Sequence, residues 1–183
     1  MSASSLPSAD GLIDDFRDAD GRSRLGTRWR LVTDTVMGGV SEARMAFDTL
    51  DGRRALCVEG EVRLEQNGGF LQVNLELTRK GAPLDASEFA GVRLTVRGNG
   101  EHYNLHLKSR DCALPWQAYR ATFVAGQDWQ EIRVPFERFA PNRLSAPLDA
   151  GQLTQLGLVA IGRAFQAQLC IAQVGWYRNL AAG

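Results

Sequence analysis

The feature that most constrains this chain is an alternation of apolar and polar residues with period two, broken by glycine turns. In "RALCVEGEVRL" (54–64), Leu56, Val58, Val62 and Leu64 fall on one side and Cys57, Glu59, Glu61 and Arg63 on the other. "GFLQVNLEL" sets Leu71, Val73, Leu75 and Leu77 against Gln72, Asn74 and Glu76. "GVRLTVRG" alternates Val92, Leu94 and Val96 with Arg93, Thr95 and Arg97. "EHYNLHLKS" alternates Tyr103, Leu105 and Leu107 with His102, Asn104, His106 and Lys108, and "WQEIRVPF" buries Ile132, Val134 and Phe136. Side chains of a strand point to opposite faces in turn, so this pattern predicts antiparallel strands with one face buried and one in water. "LGLVAIG" (156–162) is apolar on both faces and reads as a central strand, and "AQLCIAQVGWYR" as a closing one. Asp51-Gly52, Asn67-Gly68-Gly69, Gly98-Asn99-Gly100 and Gly126-Gln127-Asp128 supply the turns. Helical spacing is scarce, with short helical turns expected near 85–89, 136–140 and 149–153. About eight or more strands in one unit predict an all-β sandwich, or jelly roll, of antiparallel strands.

The 183 residues suit one domain. A domain of this size buries about 70% of its unfolded surface and needs neither metal nor disulfide to fold. Residues 1–11 are small and polar and are expected to be disordered, with one domain over 12–183. Twenty-one basic and 21 acidic residues give zero net charge, which speaks against nucleic acid or an anionic membrane as partner. No apolar run approaches the roughly 20 residues of a membrane helix. The N-terminus has no secretory pattern, so a cytoplasmic protein is expected. Cys57, Cys112 and Cys170 are odd in number and lack C-x-x-C spacing, so reduced, buried thiols in a reducing compartment are expected, with no metal and no cofactor.

Two places are candidates for function. The first is "DTVMGGVSEARM" (34–45). A phosphate cradle needs a lysine and a helix after its glycines, and a hydrolase elbow needs Gly-x-Ser-x-Gly; neither is present. The loop therefore reads as structural. Gly38 and Gly39 allow positive φ and close approach, Val36, Met37 and Val40 pack as a plug, and Ser41 bonds locally. Asp34 either contacts a ligand or caps the following turn.

The second is the outward face of the middle strands. Gln72, Asn74 and Glu76 share a side of one strand, and His102, Asn104, His106 and Lys108 share a side of another. Arg120 joins them from a neighbouring strand, with Trp116 at its entrance. Amides, imidazoles, a cation and an aromatic ring suit a polyol, a sugar or a peptide backbone, and they equally suit a solvated sheet face. His102 and His106 lie about 13 Å apart along a strand and cannot share a metal. Neither histidine has an activating Ser or Cys partner, so no catalytic constellation is present and no enzyme is expected. The four tryptophans are expected to anchor the core or its edges.

Several stretches, in order, resemble the complex I intermediate-associated protein 30 family. They are "WRLVTDTVMGGVSEARM", "NGGFLQVNLEL", "FAGVRLTVRGNGEHYNLHLKS", "PWQAYRATFVAGQDWQEIRVPFERFAPN" and "LTQLGLVAIGRAFQAQLCIAQVGWYR", together covering about 12–178. The third stretch resembles the family's paired strands joined by a glycine-rich turn. The resemblance implies a galactose-binding-domain-like β-sandwich. It also implies a non-catalytic, chaperone-like protein that assists complex assembly, with respiratory-complex subunits or assembly intermediates as partners. The alternative is a carbohydrate or small-ligand binding module using the polar face.

Overall fold

The computed structural model describes residues 5–18, 20–65, 69–79 and 81–179. They form twelve strands: β1 (Leu12–Asp14), β2 (Arg30–Thr33), β3 (Glu42–Leu50), β4 (Arg53–Val62), β5 (Phe70–Glu76), β6 (Gly91–Gly98), β7 (His102–Ser109), β8 (Ala118–Val124), β9 (Gln130–Pro135), β10 (Ala140–Asn142), β11 (Leu153–Ile161) and β12 (Phe165–Tyr177). Two short 3-10 helices, Asp34–Met37 and Phe136–Arg138, interrupt them. Every strand pairing is antiparallel.

One sheet runs β3-β4-β12-β6-β9, with β1 also on β12; the other runs β10-β8-β7-β11-β5-β2. The 13-residue β12 is the spine of the first sheet. Along one edge it pairs with β6 from Leu169↔Gly98 to Tyr177↔Gly91. Along the other, β4 reaches Ile171↔Leu56, and β1 takes over at Val174 and Gly175.

The alternating apolar residues meet between the sheets. Leu56, Val58, Val62, Val92, Leu94, Val96, Ile171, Val174 and Trp176 from the first sheet form one buried cluster with Leu71, Val73, Leu75, Tyr103, Leu105, Leu107, Leu156 and Leu158 of the second. Burying such a side chain contributes about 2 kcal/mol, so the sandwich is held mainly by this seam. Leu64 departs from the expected pattern: it lies beyond the end of β4 and is exposed.

Turn chemistry divides into hairpins and corners. Asp51 and Gly52 both take positive φ (51° and 77°), the type I′ geometry that joins β3 to β4 through the pair Leu50↔Arg53. Gly98-Asn99-Gly100 does not close a hairpin, although β6 and β7 read as a pair. It carries the chain from one sheet to the other, and it is fixed by Gly98 N–H to Gly126 O and Gly100 N–H to Ala125 O, both 2.7 Å. Alternation shows that each strand has a buried face, but not which sheet the strand joins.

Two further expectations are corrected. Cys57 and Cys170 are not free thiols: they sit opposite one another across β4 and β12 and form a disulfide, with Cα atoms 4.1 Å apart. Spacing could not foresee the bond, because the cysteines are 113 residues apart and meet only through strand pairing. The cysteine argument for a reducing compartment falls with it; Cys112 alone remains a free thiol. Residues 5–11, expected to be disordered, are tied down. Ser5 N–H donates to Pro83 O (2.9 Å), and Gly11 O accepts from Trp176 N–H (2.7 Å). Residues 1–4, and Asn67 and Gly68 of the expected turn, lie outside the described residues.

Trp29 and Trp176 are buried in the core. Trp129 packs under the guanidinium groups of Arg53 and Arg97, 5.8 and 5.7 Å from its ring centre. Trp116 is the exception, 57% exposed. No helix among the described residues is long and apolar enough to cross a membrane.

A cross-link between distant residues restricts the unfolded chain and typically stabilises by 2–4 kcal/mol, that is ~3 kcal/mol. The double variant Cys57→Ala/Cys170→Ala is therefore expected to unfold at a clearly lower urea concentration than the parent. Equal midpoints, or two alkylatable thiols at these positions in the non-reduced protein, would contradict the bond.

Candidate functional site

The second sheet turns one face to the core and the other outward, and strand register sorts the outward residues into cross-strand rows. The central row is Arg30, Asn74, Gly157, His106, Arg120 and Ala140, each opposite the next on β2, β5, β11, β7, β8 and β10. One row toward the Asp34 end lie Val32, Gln72, Val159, Asn104 and Thr122. One row toward the other end lie Glu76, Gln155 and Lys108. Gln72, Asn74, Glu76, Asn104, His106, Lys108 and Arg120 thus share one surface, although β11 separates β5 from β7. His102 stands exposed at its margin, opposite Val124.

The middle of the face is low. Gly157 has no side chain, and a Cβ there would meet Asn74 Oδ1 at 2.5 Å. Asn74, expected in solvent, lies instead over Gly157 and is 8% exposed. Around it, Thr122 Oγ1 donates to Asn104 Oδ1 (2.8 Å), and Arg30 pairs with Glu76 at 3.2 Å. Lys108 Nζ donates to Pro115 O (2.7 Å) and Asn142 Nδ2 to Trp116 O (3.4 Å). These last bonds hold the β7–β8 loop, which carries the exposed Trp116, against the face.

The electrostatics are unusual for a solvated sheet. His106 Nε2 and Arg120 Nε are sealed from solvent and have no hydrogen-bond partner. Burial first, then the charges of Arg120 and Lys108, lower the His106 pKa to about 3, so the imidazole is neutral at ordinary pH. Burial also lowers the pKa of Lys108 despite the opposing pull of nearby groups, Glu76 among them. Burial and Arg143 lower that of Arg120. Among the described residues, no three His, Cys, Asp or Glu side chains gather to hold a metal.

Arg30, Thr122, Asn142, Gln155 and Gly157 belong to this face but carry no strong sequence signal. The run after Gln155 is apolar throughout and hides its outward positions. The period-two step Gln155, Gly157, Val159 leading into "LGLVAIG" was the available clue.

Asp34 does something else. It is 0% exposed, and its carboxylate accepts from Ser41 N–H (2.9 Å), Ser41 Oγ–H (2.5 Å), Gly69 N–H (2.6 Å) and Phe70 N–H (3.3 Å). Ser41 Oγ in turn accepts from Arg63 N–H (2.9 Å). One carboxylate therefore joins the 3-10 helix, the start of β3, the end of β4 and the start of β5. The expectation that Asp34 contacts a ligand is corrected: its oxygens are taken up inside the fold. Gly38 caps the helix at φ 84°, and a Cβ on Gly39 would lie 2.5 Å from Asp34 Cγ. The expected plug is also corrected, because Val36 is 70% exposed. A four-residue 3-10 helix turns one side to solvent, and Val36 falls there. The side chain of Met37 lies outside the described residues.

Burial pushes the Asp34 carboxyl up, but the hydrogen bonds from Ser41, Gly69 and Phe70 outweigh it and hold the pKa below the ordinary value. The unfolded carboxyl titrates near ~3.9. The stabilisation is therefore complete above that pH and is lost as pH falls through the lower folded-state value. Asp34→Asn is expected to cost about 1–3 kcal/mol at pH 7, by turning an amide N–H toward donors. Its urea midpoint should also fall less steeply with acid than the parent's. Gly39→Ala should destabilise more than Gly38→Ala, whose cost is the ~1 kcal/mol of a left-handed alanine. Equal midpoints for parent and Asp34→Asn would remove the carboxylate from this role.

A family model described as Complex I intermediate-associated protein 30 matches residues 15–171. No curated protein matches the sequence. Among solved structures, a family 11 carbohydrate-binding module from Clostridium thermocellum in complex with a β-1,3-1,4-mixed-linked tetrasaccharide is similar, with a TM-score of 0.72. It is 12% identical, and the match covers 93% of this chain and 96% of that one. The family 11 module of a cellulosomal cellulase from the same organism gives a TM-score of 0.74 at 13% identity, covering 98% of each chain. A family 30 carbohydrate-binding module of another cellulosomal cellulase from that organism gives 0.57 at 15% identity, covering 74% of this chain and 82% of that one. At these identities the likeness is one of fold: a jelly-roll β-sandwich.

Proposed function

The chain belongs to the complex I intermediate-associated protein 30 family, and on that premise we propose that it is a non-catalytic interaction protein that assists assembly of a multisubunit complex. Its recognition surface is the outward face of the second sheet, centred on His106 and Arg120. The observation that carries the surface is the group of cations there, Lys108, Arg120 and Arg143, none of which forms an ion pair among the described residues. A cation partly withdrawn from water is costly when it lacks a counter-charge, and a bound partner that supplies an anionic or acceptor group offsets that cost. The family's description points to respiratory-complex subunits or assembly intermediates as that partner.

A second reading is favoured by one further observation. Trp116, exposed beside Lys108 and Asn142, offers a stacking ring next to amides, as a sugar site requires. On this reading the chain is a carbohydrate or small-ligand binding module, in keeping with the fold it shares with the carbohydrate-binding modules.

Capture from the source cell followed by mass spectrometry separates the two. Asn104→Ala and Arg120→Ala replace half-exposed side chains and should move the melting temperature little, whereas a central contact costs about 2 kcal/mol or more in binding. Stoichiometric protein partners should be recovered with the parent and lost with both variants. A glycan panel that stabilises the parent, but not Trp116→Ala, would favour the second reading. Partners retained by both variants would exclude this face as the surface.

A further inference from the structure

The cations at the centre of the polar face form no ion pair among the described residues. Arg120 on β8 lies opposite His106 on β7, and Lys108 is two residues along the same strand face. Directly opposed side chains start about 5 Å apart, and the charges of both Arg120 and Lys108 bear on His106. Arg143 bears on Arg120 as well. Among the described residues, none of Arg120, Lys108 and Arg143 forms an ion pair. The one carboxylate on the face, Glu76, is engaged by Arg30. The imidazole between them is neutral and adds no charge. Cations partly withdrawn from water and without an ion-pair partner are costly in the free protein, and a bound anion relieves that cost.

The surroundings select the anion. Gln72, Asn104 and Gln155 flank the cations on the same face, and a side-chain amide carries both a donor and an acceptor. That set matches the backbone of an extended peptide, while the planar guanidinium of Arg120 matches a carboxylate. A nucleic acid would ask for a longer run of unpaired cations than this spot provides.

We propose that the face binds an extended, acidic segment of a protein partner, with a Glu or Asp carboxylate seated between Arg120 and Lys108 over His106. This deepens the reading of the face as a protein-recognition surface and rests on it. The partner's carboxylate takes the guanidinium of Arg120 and the ammonium of Lys108, and its neighbouring peptide groups take the flanking amides. Selectivity then follows from charge: the same segment with glutamine for glutamate leaves both cations unpaired.

The test is fluorescence anisotropy on the full chain with a labelled octapeptide of alternating serine and glutamate, against the same peptide with glutamine in place of glutamate. The acidic peptide should bind at least about tenfold more tightly, a difference of ~1.4 kcal/mol, and the preference should shrink as salt is added. Arg120→Gln and Lys108→Gln should each abolish most of the preference. Arg133→Gln, on the other sheet and paired with Glu131, should leave it intact. Should Arg120→Gln not fold, judged by its melting curve, Lys108→Gln decides alone. Equal affinity for the two peptides, or a preference that survives both substitutions, would overturn the proposal. So would tight binding of a polygalacturonate oligomer with none of the acidic peptide. The surface itself is tested separately. Partner capture lost in Asn104→Ala while the two peptides bind equally sinks the acidic segment and leaves the surface standing; capture unaffected by any substitution on the face, without peptide binding, sinks both.

Discussion

Each sheet of this protein has one apolar face, and a sheet so made can hide it only against another. That constraint orders the rest of the structure. Leu56, Val58, Val92, Leu94 and Val96 on one side need Leu71, Val73, Leu105, Leu107 and Leu158 on the other. Because side chains alternate strictly, committing those residues inward commits Gln72, Asn104, His106, Lys108 and Arg120 outward together. The candidate surface is thus a consequence of the core. A one-residue slip of β7 would bury His106 and Lys108 and expose Leu105 and Leu107.

Within that frame, the segment around Gly38 and Gly39 is a fastening. Two sequence stretches far apart, Asp34–Ser41 and Gly69-Phe70, are joined by the oxygens of one carboxylate. Gly39 is glycine because the carboxylate occupies the space of its Cβ, and Gly38 because the chain turns there through a left-handed conformation. A buried carboxylate with four donors is strong where it is satisfied and costly where it is not, which confines the loop to one conformation.

The outward face follows the opposite logic. Its polar groups are gathered but only partly satisfied: Arg143 bears on Arg120, both Arg120 and Lys108 bear on the neutral imidazole of His106, and neither cation has an ion-pair partner among the described residues. A sheet surface that served only as a solvated exterior would spread its charges and wet its polar atoms. Cations without ion-pair partners are what separate this face from the outer side of the other sheet, where Arg97 and Arg133 are paired with Asp51 and Glu131.

The sequence by itself determined the class of fold, the identity of most strands and, on the strands that alternate, which residues face inward and which outward, because period two is a local property of an extended chain. It also carried the resemblance to the family and placed glycines where a side chain could not stand. Tertiary structure decided what depends on which strands are neighbours. It put β11 between β5 and β7, bringing Gly157 and Gln155 onto the face. It made a corner, not a hairpin, of Gly98-Asn99-Gly100. It set Cys57 against Cys170 and drew Asp34 inward to the N–H groups of Gly69 and Phe70. None of these is written in spacing, since each joins residues that alternation treats as unrelated, and only the closing of two sheets over one core brings them together.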